Sequence, residues 1–267
     1  SSRLAGGQKC KKSLCPCCGF EKDTKRAEQI KTLFQEGANE GWSGWFATLT
    51  FSHKNRESVK SIGDDLQQCW RRTYQSLRRF TEKQYGFQLE FENSLDFTWG
   101  ESGIHFHFHS ALLLRTQLTK SQDQDIRREL KRLWSANAVK VGRKVSKQVG
   151  VLLRKLEFNE AGMADYIAKT GLFTEAKEIA HRTTKESKTG YGLRDIHREV
   201  AGGSRVWLAR FKQLATWFHN KKVHNRSRSL TKLLKELESK QERTTGETYT
   251  MVFSFTNRVF REIEKKK

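Results

Sequence analysis

Between Gly103 and Leu114 the chain reads GIHFHFHSALLL, and an alternation this strict fixes how the segment must lie. In an extended strand successive side chains point to opposite faces, so His105, His107 and His109 share one side while Ile104, Phe106 and Phe108 share the other. One side is a core face and the other is a row of imidazoles. A lone histidine most simply fills a solvated strand face. Three in alternation, backed by a hydrophobic row, point instead to metal ligation, because neutral imidazole is the commonest protein metal ligand and two at i and i+2 can aim at one ion.

The segment before it supplies a partner. Phe87 to Trp99 has a strand pattern, and Gly100-Glu101-Ser102-Gly103 is a turn, so the two stretches make a hairpin. Whether the loop has two residues or four, Asp96 and Thr98 fall on the face of His105, His107 and His109, opposite His109 or His107. Asp96 is therefore a better carboxylate ligand than Glu101, which sits in the turn or points elsewhere. Two imidazoles, His107 and His109, with one carboxylate leave coordination positions open. Such mixed N and O ligands permit Mg²⁺ or Mn²⁺ as a Lewis acid at a phosphoryl oxygen.

Charge names the class of partner. With 51 Lys and Arg against 30 Asp and Glu, the net charge is +21, so a polyanion is expected. Nucleic acid fits better than a membrane, since no apolar run approaches the roughly 20 residues of a spanning helix. Four of the five cysteines crowd into Cys10, Cys15, Cys17 and Cys18. Cys10, Cys15 and Cys18 have a knuckle spacing suited to a structural, tetrahedral Zn²⁺, with the fourth ligand left among Cys17, Cys69 and a histidine. Clustered thiols without a secretory signal indicate a reducing, cytoplasmic setting.

The remaining elements set the fold class. Asp23 to Phe34 reads as a helix, Trp45 to Phe51 as a central strand, and Arg56 to about Thr81 as an amphipathic helix. Another helix follows from Ser121, as N-cap, to about Asn137, then a weak strand from Val149 to Phe158 and a helix from Asn159 that carries Tyr166 and Lys169. Strand, helix, hairpin, helix, strand, helix suits an α+β fold: an antiparallel sheet with helices on one face, ferredoxin-like or RNA-recognition-motif-like, its histidines facing solvent. Thr174 to Gly192 lacks apolar periodicity and carries Lys177, Arg182, Lys185 and Lys188, which reads as a mobile basic loop along which nucleic acid can lie. The C-terminal third reads as helical, with Val206, Leu208, Phe211, Leu214, Ala215 and Phe218 as one buried stripe, Leu230 to Leu237 as another, and a short strand at Tyr249 to Phe255. The expected organisation is a cysteine-rich leader (1–40), a core (41–173), the basic loop (174–192) and a mainly helical extension (193–267).

Tyr166 and Lys169 lie three residues apart on one helix face. A tyrosine oxygen can form a covalent intermediate, and an adjacent ammonium stabilises the phenolate or the phosphate. An ordinary amphipathic tyrosine beside a solvated lysine gives the same pair, so its weight comes from its companions. WFATLTF (Trp45 to Phe51), DFTWGESGIHFHFH (Asp96 to His109) and ADYIAKTG (Ala164 to Gly171) follow one another in an order that resembles the three motifs of the HUH endonucleases. Among these, the chain is most similar to rolling-circle replication initiators of small bacterial plasmids, whose cysteine-rich leader the Cys10, Cys15 and Cys18 cluster also resembles. The likeness runs from about Cys10 to at least Lys169, and more loosely through Leu237.

The resemblance implies that His107 and His109 bind the catalytic divalent ion, that Asp96 stands at the acidic ligand's place, and that Tyr166 attacks the scissile phosphate. A 5′-phosphotyrosine and a free 3′-hydroxyl would result, the latter priming leading-strand synthesis. It implies single-stranded or hairpin origin DNA as substrate, with a host helicase and polymerase as partners. Phe106 stands where a proline is common, Asp96 replaces the more usual Glu, and no second tyrosine accompanies Tyr166 on its helix, so Glu160 or Asp165 is held open as an activator of water. A transposase or conjugative relaxase of the same superfamily shares this chemistry. From a different class, a non-catalytic zinc-knuckle protein can bind nucleic acid through basic surface and exposed aromatics.

Overall fold

The computed structural model describes residues 10, 12–55, 57–156, 158, 190–219 and 221–245. Helix α1 (Pro16–Asn39) leads into strand β1 (Ser43–Leu49), helix α2 (Val59–Tyr85), the hairpin of β2 (Glu90–Gly100) and β3 (Gly103–Leu114), helix α3 (Lys120–Lys140) and strand β4 (Val151–Leu156). Further along come α4 (Leu193–Ala201), α5 (Arg205–Phe218), the short β5 (His224–Arg226) and α6 (Arg228–Thr245). The strands form one antiparallel sheet in the order β4-β1-β3-β2-β5. From β1 to β4 the succession is β-α-β-β-α-β, as the sequence predicts. The helix expected after Asn159 and the strand at Tyr249 lie outside the described residues.

Local chemistry sets the boundaries. Gly100 pairs with Gly103, leaving the two-residue loop Glu101-Ser102, and Gly103 takes φ 106°, which a side chain would resist. Helix α2 starts at Ser58, whose side chain accepts from the Ser61 N–H, and stops at Gly86 in the left-handed region. Helix α3 is capped by Thr119 rather than Ser121. Thr119 Oγ1 accepts from the Gln122 N–H while Gln122 Oε1 accepts from the Thr119 N–H, a reciprocal box; Ser121 has Gln124 at the same spacing, but the helix has already begun at Lys120.

One sheet face builds the main core, with Leu49, Phe97 and Phe106 packed under α2, α3 and α5. The other face is not bare, and the expectation of helices on one face is corrected here. Ile30, Leu33 and Phe34 of α1, with Leu230 and Leu234 of α6, pack on Phe46, Ala111 and Leu113. The cause lies in β3: past His109 the run Ala111-Leu112-Leu113-Leu114 is apolar on both sides, and a strand apolar on both sides is buried on both. Burial on the histidine face therefore falls off toward the hairpin.

The expected stripe of α5 is also corrected. Its buried side chains are Trp207, Leu214, Trp217 and Phe218, whereas Val206 is 60% and Leu208 40% exposed. Trp217 enters the core because Gly63 of α2 makes room: a Cβ there would lie 2.2 Å from the indole Cζ2. Gly63→Ala is therefore expected to destabilise by about 1–3 kcal/mol through overpacking, although alanine is favoured over glycine in a helix by about 1 kcal/mol. A lowered urea midpoint with unchanged m-value checks it.

Candidate metal centre

The register of the hairpin assembles the site. Asp96 pairs with His107, and its neighbours Ser94 and Thr98 pair with His109 and His105, so Asp96 is beside one imidazole and diagonal to the next. Asp96 Oδ2 lies 3.5 Å from His107 Nε2 and 3.8 Å from His109 Nε2. The two rings are 4.7 Å apart and nearly perpendicular. One ligand atom from each of the three residues falls within 4.8 Å of the others. Glu101 is exposed in the hairpin loop, apart from this cluster.

Neighbouring atoms orient each ligand. The Phe97 N–H donates to Asp96 Oδ1 at 2.8 Å, which holds Oδ2 toward the imidazoles. His109 is buried and stacks on Phe46 at 5.5 Å, with Nδ1 3.2 Å from Thr48 Oγ1. With the proton on Nδ1 and directed at Thr48, the Nε2 lone pair faces Asp96, the arrangement in which a histidine ligates. Two imidazole nitrogens and a carboxylate oxygen converging at these distances fit a divalent cation with open positions. His107 is less buried than His109, so the cluster sits where the covered part of the sheet face gives way to the accessible part.

His105 does another job. Thr50 Oγ1 donates its proton to the Phe106 carbonyl at 2.9 Å, so His105 Nε2, 3.0 Å away, must donate to Thr50. Burial, and then nearby His107 and His53, pull its pKa down to about 4, so it is a neutral imidazole at physiological pH. The row thus divides into a pair placed to ligate and a structural histidine. Thr48 and Thr50, which sequence reasoning left without roles, are what divide it; parity in β1 puts Thr48 on the histidine face.

At the start of α1 a second cluster gathers Cys10, Cys15 and Cys18. Cys10 Sγ is 3.7 Å from Cys18 Sγ, and Cys15 is the N-cap residue before Pro16, so Cys15 and Cys18 lie one helical turn apart. Three thiols so placed suit Zn²⁺. Cys69 is excluded as the fourth ligand: it is buried in α2, 3.7 Å from the Trp134 carbonyl, and burial pushes its thiol up to about 12. Among the described residues no histidine joins the cluster; the Cys17 side chain lies outside them. So do Tyr166, Lys169, Glu160 and Asp165, and the loop cations Lys177, Arg182, Lys185 and Lys188.

Fold and site together define an α+β protein of strong positive charge whose antiparallel sheet gathers two histidines and an aspartate at a candidate metal centre. The chain matches a family model described as Replication protein, Rep_1, over residues 1–254, and it belongs to that family. Membership is consistent with a plasmid replication initiator. No curated protein and no solved structure matches the chain. No described helix is long and apolar enough to cross a membrane.

Proposed function

We propose that this protein starts rolling-circle replication of a plasmid by nicking and rejoining single-stranded or hairpin DNA at an origin in the cytoplasm. The observation that carries the reading is the convergence of Asp96, His107 and His109 on one sheet face in a chain of the replication protein family. These three residues would hold Mg²⁺ or Mn²⁺, which when bound polarises a phosphoryl oxygen as a Lewis acid. Tyr166 Oη attacks the scissile phosphorus, the bond to the 3′-oxygen breaks, and that oxygen takes up a proton to become a free 3′-hydroxyl. The 5′ side stays on the tyrosine as a phosphodiester, and attack by a 3′-hydroxyl reverses the step. Lys169 stabilises the phenolate or the phosphate, Lys177, Arg182, Lys185 and Lys188 meet backbone phosphates, and the 3′-hydroxyl is passed to host helicase and polymerase.

Single-stranded oligonucleotides tiled across the DNA around the gene test this reading. With Mg²⁺ or Mn²⁺, cleavage is expected at one site, leaving a free 3′-hydroxyl and a protein-bound 5′ end. Cleavage that leaves both ends free of protein would assign the attack to water, and no cleavage of any oligonucleotide would remove the enzyme reading.

Zn²⁺ at Cys10, Cys15 and Cys18 is proposed as structural. Cys15→Ser with Cys18→Ser is therefore expected to lower the unfolding temperature while leaving cleavage by the remaining folded protein nearly unchanged. Elemental analysis after purification under reducing conditions is expected to find zinc. A zinc-free protein of unaltered stability would show plain thiols.

A further inference from the structure

Two cavities meet at the loop joining α5 to β5. The larger, about 900 Å³, runs along α2 and past β5; the other, about 400 Å³, lies between the loop and α1. Lys221 and Lys222 line both, so the two are one groove that wraps the β5 edge of the sheet. Its walls are cationic, with Arg71, Arg78 and Arg79 on the α2 side and Lys22 and Lys25 on the α1 side. Glu82 is the only carboxylate among the described residues that line it.

Some of this charge is answered within the protein. Arg78 pairs with Glu82, Lys221 with Asp64, and Arg226 with Glu92. Arg71, Arg79, Lys25 and Lys222 are exposed and take part in no ion pair among the described residues. Like charges gathered round a concave surface raise the local potential and draw a polyanion.

The aromatic residues decide its form. Single-strand grooves offer ring faces on which unpaired bases stack. Here Trp70 is 8% exposed and stacks on Tyr74, the Tyr74 ring packs 4.4 Å from Phe91, and the Tyr74 hydroxyl donates to the Leu89 carbonyl. These rings are occupied with one another, which leaves cations to meet phosphates. Arg71 and Arg79, eight residues apart on α2, are separated by about 12 Å along the helix axis, comparable to the roughly 12 Å width of a duplex major groove.

We infer that this groove binds double-stranded DNA by its phosphates, at a site separate from the metal centre. The choice of DNA as the polyanion rests on the proposed function. The site has a direction: His224 lines the α1 end and pairs with Ser94, which pairs with His109, so that end lies about 10 Å, two strand spacings, from the metal centre. A duplex held here flanks the strand that is cut.

Arg71→Ala with Lys222→Ala tests it in the full chain, and Lys25→Ala with Arg79→Ala probes the same groove at other points; circular dichroism establishes that each variant is folded. Anisotropy with a short duplex of arbitrary sequence, between about 50 and 200 mM salt, is expected to show an affinity loss of about tenfold and a salt slope smaller by about two. Binding to oligo-dT and cleavage of a single-stranded oligonucleotide are expected to stay as in the parent. Unchanged duplex affinity and slope in both folded variants would overturn the inference, and equal losses for oligo-dT and duplex would reassign the groove to single strands. Failure of the parent to cleave any oligonucleotide counts against the nicking reaction alone, since the duplex measurement needs no chemistry.

Discussion

Tyr166→Phe is expected to abolish the denaturant-resistant protein–DNA adduct while leaving folding and DNA binding as they were. The substitution removes one oxygen, the proposed nucleophile, and keeps the ring. Nicking should fall by at least about 10³-fold, in line with removal of a nucleophile from an enzyme. The adduct in the parent should carry the DNA downstream of the nick. Tyr74, Tyr85, Tyr191 and Tyr249 are the controls. Tyr74 and Tyr85 donate their hydroxyls to the Leu89 carbonyl and to Asp125 Oδ2, and Tyr191 packs 4.2 Å from Trp207. An adduct that persists in Tyr166→Phe and maps to Tyr191 would transfer the role to the partly exposed ring beside the hairpin.

His107→Ala and His109→Ala come next in size. A Lewis acid at a transferring phosphoryl group contributes several kcal/mol, and each 1.36 kcal/mol is tenfold in rate, so cleavage should drop by about 10²–10⁴-fold. Calorimetric titration of the DNA-free protein with Mn²⁺ should show the loss of affinity directly. Affinity for DNA should hardly move, because it comes from basic surface. His107→Ala is the cleaner variant, since His109 also stacks on Phe46 and meets Thr48. Asp96→Ala should follow the histidines and Glu101→Ala should not; the reverse pattern would show that the carboxylate in the hairpin loop is the ligand.

The hairpin was the most legible part of the molecule because strand parity survives ignorance of the loop. A loop of two or four residues leaves Asp96 on the histidine face, and the observed register adds only that it faces His107. The roof over Phe46 was illegible because α1 and α6 are far apart in sequence and meet only through the sheet. In α5, Val206 and Leu208 compete with Trp207 at adjacent positions, and the one that is buried packs on Trp99 of β2, a contact from another element. Alternation makes His105, His107 and His109 equivalent; the Thr50 hydroxyl that singles out His105 comes from the residue just after β1. Ser121 and Thr119 are both good caps, and each has a glutamine three residues on, Gln124 and Gln122, so the spacing alone does not tell them apart.

The partial cover over the histidine face also determines how a substrate arrives. Helices α1 and α6 close the face over Ala111 and Leu113, where His109 is buried, while His107, His105 and Gly103 are half-buried. Among the described elements, the centre is thus a berth closed at one end, entered from the hairpin tip. A thin, bendable chain can moor there with a phosphate beside Asp96, but a rigid rod laid along β3 would strike α1 first. For the nicking reaction proposed above, such a roof would favour unpaired over duplex DNA by stiffness alone, without a base-reading side chain.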